Sequence, residues 1–224
     1  MSKICTVIPA FNVQQTISTV ISQTSQFIKH ANIIVIDDGS SDQTGEIIAK
    51  TGVVVLSNGG NRGKGFSLKK GFQYAIENGY EAIITLDGDM QHDPREIPKF
   101  IDCFERTEAD LILGDRTNDF ATMPLDRQFS NKMTSLIISL LTGRRVRDSQ
   151  TGYRLIKAEI LKNMNLVSNR YDTESELLVK ALLNSCKIAH VPIKTIYNEQ
   201  PSHIHRFEDT LRFIKIVILS LIQR

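Results

Sequence analysis

Ala82-Ile83-Ile84-Thr85-Leu86-Asp87-Gly88-Asp89-Met90-Gln91 reads as a buried strand that runs straight into acid. A short apolar run closed by a turn signal fits a strand covered on both faces. Side chains alternate along extended backbone, so Asp87 and Asp89 fall on one side of the chain. Two hard oxygen donors placed together offer a seat for a divalent cation. Gly88 between them leaves the backbone open to close approach, and Gln91 adds a neutral oxygen. Taken alone, the stretch also reads as a polar turn after a core strand, and its neighbours decide between the two.

Upstream, the same unit repeats. Residues 4–8 form an apolar run ended by Pro9, and Asn12 is expected to cap a helix whose inner face carries Val13, Ile17, Val20, Ile21, Phe27 and Ile28. Residues 33–36 make a second strand that ends in Asp37-Asp38-Gly39-Ser40, and Asp42 is placed to cap a short helix running to Lys50. A third strand follows at 53–56, then the loop 58–65 (NGGNRGKG), then a helix with Leu68, Phe72, Ala75 and Ile76. Apolar strands alternating with amphipathic helices predict an α/β fold with a mostly parallel central sheet flanked by helices on both faces. In such sheets ligands bind beyond the carboxyl ends of the strands. Pro9-Ala10-Phe11, Asp37-Asp38 and Asp87-Gly88-Asp89 all fall there, facing one crevice.

Downstream, Asp93, Pro94 and Glu96 spell a helix start, with Ile97, Phe100, Ile101 and Phe104 inward. Residues 111–114 read as a fifth strand. Residues 115–130 show no periodicity and hold Arg116, Pro124 and Arg127, the mark of a functional loop or lid. Met133, Leu136, Ile137, Leu140 and Leu141 form a helical stripe, followed by the basic Arg144-Arg145-Val146-Arg147. A strand is expected at 152–156, a capping box at Thr173 and Glu176, and an edge strand within 188–196 because of Pro192. Residues 211–222 read as a final helix, apolar almost all round.

With 224 residues, 41% of them hydrophobic, the chain suits one domain with one substantial core. A formal net charge of +2, with no basic run interleaved with aromatics, argues against nucleic acid as a partner. The three cysteines are far apart and without metal-ligand spacing, which predicts reduced thiols and a cytoplasmic setting. No uninterrupted apolar segment is as long as a membrane span. The loop 58–65 is not a Walker loop, since no glycine stands at position 58 and Gly65 rather than Ser or Thr follows Lys64. It also fails the dinucleotide fingerprint, which would need glycine where Leu68 stands. Arg62 and Lys64 on a pliable backbone still suit a diphosphate.

Taken together, these stretches resemble the inverting family-2 glycosyltransferases of the GT-A fold, and among them the polyprenyl-phosphate sugar synthases of the dolichol-phosphate mannose synthase kind. The matching pieces occur in order: Ile8-Pro9-Ala10-Phe11-Asn12, Asp37-Asp38-Gly39-Ser40, Asn61-Arg62-Gly63-Lys64-Gly65, Asp87-Gly88-Asp89-Met90-Gln91, Gly114-Asp115-Arg116, Arg127, residues 148–155, Val191-Pro192-Ile193 and Ser202-His203. The resemblance implies a single catalytic domain, with residues 1–114 as the half binding nucleotide-sugar and metal and residues 115–224 as the acceptor half. By the same resemblance, Pro9, Phe11 and Asp38 line the base and ribose, Asp87 bears on the nucleotide-sugar, and Asp89 and Gln91 hold Mg²⁺ or Mn²⁺. Arg116 and Arg127 match phosphate-binding arginines. The implied reaction moves a hexose from a donor of the GDP-mannose or UDP-glucose type to a polyprenyl phosphate, at the cytoplasmic face of a membrane.

Two departures keep the donor base open: Val13 stands where the family often has Glu, and Phe11 where it has Tyr. The stretch Ser202-His203-Ile204-His205-Arg206 also lacks the usual Arg and Lys, so His203 and Arg206 either replace them or cap the last helix. Two other readings stay open. One is transfer to a saccharide hydroxyl, which needs a carboxylate base among Asp148, Glu174 and Glu176. The other is a non-catalytic nucleotide-sugar-binding protein, against which the intact Asp87, Asp89, Gln91, Arg116 and Arg127 speak.

Overall fold

A computed structural model describes residues 3–117, 123, 125–170, 172–194 and 196. The expected apolar helix at 211–222 and the stretch Ser202-His203 lie outside the described residues. The strands are β1 (Ile4–Ala10), β2 (Ile33–Asp37), β3 (Val54–Ser57), β4 (Ala82–Thr85), β5 (Leu111–Asp115), β6 (Arg154–Lys157) and β7 (Ile188–Pro192). The helices are α1 (Ile17–Thr24), α2 (Thr44–Ala49), α3 (Lys64–Glu77), α4 (Ile97–Arg106), α5 (Leu125–Thr142), α6 (Ala158–Lys162) and α7 (Asp172–Leu183). The strands form one sheet in the order β3-β2-β1-β4-β6-β5-β7. β1 to β4 and the β5–β7 pair run parallel, whereas β6 lies antiparallel between β4 and β5.

The period-two alternation of the strands divides the core into two layers. Cys5, Val7, Ile34 and Ile36 pack with Leu68, Phe72 and Ala75 of α3 and with Leu177, Leu178 and Ala181 of α7. Ile4, Ile8, Ile33 and Val35 point the other way, toward Ile17, Val20 and Ile21 of α1, Ile48 of α2, and Ile97 and Phe100 of α4. Each such fully buried aliphatic side chain contributes about 1.5–3 kcal/mol relative to exposure, and this sets the strand register. Cys5, Cys103 and Cys186 are free thiols, and burial pushes the Cys5 thiol up to about 12, so it is inert packing.

Several local expectations need correction. Asn12 does not cap α1. It sits at φ 52° and its side-chain oxygen accepts from the Ser41 N–H at 2.9 Å, while α1 begins only at Ile17. This ties the end of β1 to the loop after β2. Asp93 caps as expected, accepting from the Arg95 N–H at 3.0 Å, but Glu96 pairs with Lys99 rather than closing a box. Glu176 does not box with Thr173 either. Its carboxylate accepts from the Val167 and Ser168 N–H groups and pairs with Lys180, so it pins the loop before α7.

The irregular stretch is shorter than expected, because α5 starts at Leu125 and Arg127 is therefore helical. The apolar stripe read from the sequence turns outward in α5 except at Ile137, which packs against the core. Asn131, Thr134, Ser135 and Ser139 face inward and bond the segment 146–149, while Phe129, Met133, Leu136, Leu140 and Leu141 are exposed. The hydroxyls are inside because buried backbone there needs partners: Ser139 Oγ accepts from the Val146 N–H and Ser135 Oγ from the Ser149 N–H.

Candidate active site

The carboxyl ends of β1, β2, β4 and β5 meet at one edge of the sheet, and antiparallel β6 begins there, so residues 148–153 arrive at the same place. Immediately after β4 the chain turns sharply. His92 Nδ1 accepts the Asp87 N–H at 3.1 Å, Asp89 Oδ1 accepts the Gln91 N–H at 2.9 Å, and Met90 takes φ 65°. The Gly88 carbonyl accepts the Thr16 hydroxyl at 2.7 Å, which fastens this turn to the start of α1. The segment beyond β7 reaches the same turn, where the Ile196 N–H donates to the Gln91 carbonyl at 3.1 Å.

Asp87 and Asp89 experience opposite environments. Burial works to raise Asp87, but the Lys64 ammonium, 2.6 Å from its Oδ1, outweighs burial and holds it below the usual carboxylate range. For Asp89, burial and the charge of Asp87 act together and push its carboxyl up. A carboxylate raised in this way gains from an added cation, since the cation offsets both causes at once. Among the described residues no group of three or more His, Cys, Asp or Glu side chains is arranged around a common metal position. Asp89, with the Gln91 side chain two residues on, would offer the one or two protein oxygens by which Mg²⁺ or Mn²⁺ is held when substrate phosphates and water complete its shell.

Lys64 is held by two carboxylates. It lies between Asp87 at 2.6 Å and Glu174 at 3.2 Å, and these two carboxylates hold it above its ordinary value although burial alone would lower it. The glycines around it serve protein packing. A Cβ on Gly65 would come within 1.8 Å of Thr173 Oγ1 and 2.6 Å of the Arg170 carbonyl, and the Phe66 N–H bonds the Asn169 carbonyl at 3.0 Å. A Cβ on Gly152 would meet Glu174 Oε1 at 2.7 Å and Lys64 Nζ at 3.1 Å. The loop 58–65 is thus clamped by the segment leading into α7.

Asp38 is buried, and both its oxygens are used. It accepts from the Arg62 and Gly63 N–H groups at 2.9 and 2.8 Å and from Asn58 Nδ2 at 2.7 Å. Its visible work is to hold the loop 58–63. Pro9 is half-buried at the end of β1, and Phe11 beside it exposes its ring at the mouth of the crevice.

Arg116 follows β5 and forms a two-pronged ion pair with Asp148, Nε to Oδ2 at 2.6 Å and Nη2 to Oδ1 at 2.8 Å. Asp148 is fully buried and also accepts from Asn131 Nδ2 at 2.9 Å. Burial alone would raise it, but Arg116 and Asn131 hold it below the carboxylate range. Arg127 is half-buried one helical turn before Asn131, on the same face of α5. Sequence reasoning missed the role of one residue here, named only as a possible base, and missed another altogether. Glu174 appears as the second partner of Lys64, and Arg154 is wholly buried, donating to the carbonyls of Ser149, Thr151 and Glu174. Arg154 gave no signal, because an arginine opening an apolar strand reads as exposed.

Comparison with known proteins places this geometry. Residues 5–164 match glycosyl transferase family 2. The UDP-N-acetylglucosamine–dolichyl-phosphate N-acetylglucosaminyltransferase of Methanococcus voltae is 33% identical, over 86% of this chain and 85% of its own length. The polyprenol monophosphomannose synthase of Mycolicibacterium smegmatis is 26% identical, over 84% of this chain and 75% of its own. Among solved structures, glucosyl-3-phosphoglycerate synthase from Mycobacterium tuberculosis, in complex with Mn²⁺, UDP and phosphoglyceric acid, superposes with a TM-score of 0.73 at 20% identity, over 99% of this chain and 78% of its own. A strand-end crevice of this make-up, on a sheet of this topology, belongs with that match over most of the chain: the protein is a member of glycosyl transferase family 2 and a glycosyltransferase.

Proposed function

We propose that this enzyme transfers a hexose from a nucleoside-diphosphate sugar to a polyprenyl phosphate, with Mg²⁺ or Mn²⁺ held through Asp89 and Gln91. The observation that carries the acceptor class is the state of the carboxylates. A hydroxyl acceptor needs a base, yet Asp148 and Glu176 are buried and fully engaged, and Glu174 Oε1 is shut off from solvent beside Lys64. A phosphate monoester needs none, because its second pKa is near 6 and its oxygen is already ionised at neutral pH. The names of the Methanococcus voltae and Mycolicibacterium smegmatis relatives support the same class, and the UDP and Mn²⁺ in the structural neighbour support the donor type and the cation.

In this reading Phe11 and Pro9 face the base, while Asp38 keeps the loop 58–63 in shape beside it. Lys64 keeps Asp87 ionised and in place under the donor. The cation, when bound, supplies the positive charge that the departing diphosphate needs. Arg116 and Arg127 hold the acceptor phosphate dianion, with the Arg116 fork preset by Asp148. A phosphate oxygen forms the new bond at the anomeric carbon as the bond to the diphosphate breaks; the electron pair leaves with the nucleoside diphosphate and the configuration inverts. A panel of GDP- and UDP-sugars, each assayed for nucleotide release with Mg²⁺, Mn²⁺ or chelator and with or without polyprenyl phosphate, tests this. Release that requires metal and lipid phosphate supports it; equal release with a saccharide acceptor alone refutes the acceptor assignment.

A further inference from the structure

We infer that Asn12 is a positioning residue for the nucleotide end of the donor site: it locks the turn after β1 to the loop after β2 and so fixes the Phe11 ring at the mouth of the crevice. The inference rests on the reading of Phe11 and Pro9 as facing the base, and adds what holds them there.

Asn12 stands at φ 52°, a left-handed conformation that most side chains resist and asparagine tolerates. The reversal turns three successive N–H groups toward residues 40–44. Asn12 donates to Ser40 Oγ at 3.1 Å, Val13 to Thr44 Oγ1 at 2.9 Å and Gln14 to Asp42 Oδ2 at 3.2 Å. Bonds also run the other way, since Asn12 Oδ1 accepts the Ser41 N–H at 2.9 Å and Gln14 Oε1 accepts the Gln43 N–H at 3.0 Å. Each loop thus uses its side chains to satisfy the backbone of the other.

The second loop is fixed in its turn. The Asp38 N–H donates to the Ala10 carbonyl at 2.8 Å, and Asp37 Oδ1 accepts the Ser40 N–H at 3.0 Å. Gly39 lies so close to the next loop that an added Cβ would come within 2.4 Å of Gly60 Cα, and Asp38 holds residues 62 and 63. The loops after β1, β2 and β3 therefore form one interlocked frame. Phe11 immediately precedes the clasp and its ring is 43% exposed, so its placement depends on the backbone that carries it more than on side-chain packing. A ring ordered before the ligand arrives costs less to fix on binding, which raises donor affinity without touching the reacting atoms. The role belongs in KM for the nucleotide-sugar, not in turnover or in the requirement for lipid phosphate.

The chain has no tryptophan, so Phe11→Trp supplies a single fluorescent reporter at this position. Asn12→Gly keeps access to positive φ and removes the side-chain acceptor, whereas Asn12→Asp keeps both. In the Phe11→Trp background, Asn12→Gly should lower the anisotropy of the indole and raise its quenching by acrylamide, with a cooperative thermal melt retained. With Phe11 intact, Asn12→Gly should raise KM for the nucleotide-sugar roughly fivefold, as expected for the loss of a hydrogen bond, and leave kcat and KM for prenyl phosphate within about twofold. Asn12→Asp should restore both readings, and Ser40→Ala, from the other side of the clasp, should move the same KM in the same direction. Unchanged anisotropy and quenching in Asn12→Gly would overturn the inference. So would equal weakening by Asn12→Asp, which would mean that the Asn12 amide nitrogen touches the donor itself. Phe11→Ala separates the inference from the reading beneath it. If Phe11→Ala raises KM and Asn12→Gly does not, the base reading stands and Asn12 does not position the ring. If Phe11→Ala leaves KM unchanged, the base reading fails and the inference falls with it.

Discussion

Lys64 Nζ stands 2.6 Å from Asp87 Oδ1 and is backed by Glu174 at 3.2 Å, so it neutralises the first carboxylate of the strand-end motif. The Asp87 and Lys64 side chains keep 24% and 17% of their exposure, which lets solvent soften the pair. Lys64→Met is therefore expected to cost about 1–3 kcal/mol in urea unfolding, less than a fully buried pair, and to reduce transfer at least about tenfold. Glu174→Gln should retain most transfer, because Asp87 still holds the lysine. If Lys64→Met leaves both stability and turnover unchanged, the pair does not organise the site.

Asp89 is the carboxylate with most to gain from a cation. Asp89→Asn should remove roughly 3 kcal/mol of transition-state stabilisation, about a hundredfold in turnover, while leaving the urea midpoint in chelator unchanged or raised. Mn²⁺ should raise the melting temperature of the wild type in the presence of nucleoside diphosphate and fail to do so in the variant. A variant that the metal stabilises as well as wild type would move the cation elsewhere.

Asp148 serves Arg116 and Asn131 together. Asp148→Ala leaves a guanidinium half-buried without its partner and should cost about 3–5 kcal/mol. Arg116→Ala and Arg127→Ala should raise the requirement for lipid phosphate steeply with little change in nucleotide-sugar affinity, measured by titration calorimetry. Unchanged acceptor dependence in both arginine variants would count against their role in holding the acceptor.

His92 is neutral and buried, with its Nδ1 engaged by the Asp87 N–H and its ring 5.1 Å from that of Tyr153. Burial, the largest cause, pulls its pKa down from 6.5 to about 4. The unfolded chain takes up this proton first, so the stability contribution is complete above pH 6.5 and is lost as pH falls toward 4. The window corresponds to about 3 kcal/mol in all, of which about 2 kcal/mol should be gone by pH 5. Urea unfolding at pH 7 and pH 5 measures it, and His92→Asn should remove this part of the slope. Equal slopes in the two proteins would place the titrating group elsewhere.

Much of the fold was legible in the chain itself. A strand buried on both faces has to be almost wholly apolar, so residues 4–8, 33–36 and 82–86 announce themselves, and the acids that follow the second and third of these mark the carboxyl edge where ligands bind. The order of these pieces also carries the family. Direction and partnership are different, because they depend on contacts distant in sequence. Nothing local shows that β6 runs antiparallel between β4 and β5, yet that insertion brings Asp148 to Arg116 and buries Arg154 among carbonyls. Nor does the chain show that Lys64 would meet Glu174, or that Gly65 is small to admit Thr173. The apolar spacing of α5 was readable, but periodicity only says that the apolar side chains share a face. Which way that face turns was decided by the unpaired backbone N–H groups of Val146 and Ser149, which drew the hydroxyls of Ser139 and Ser135 inward and left Leu136 and Leu140 outside.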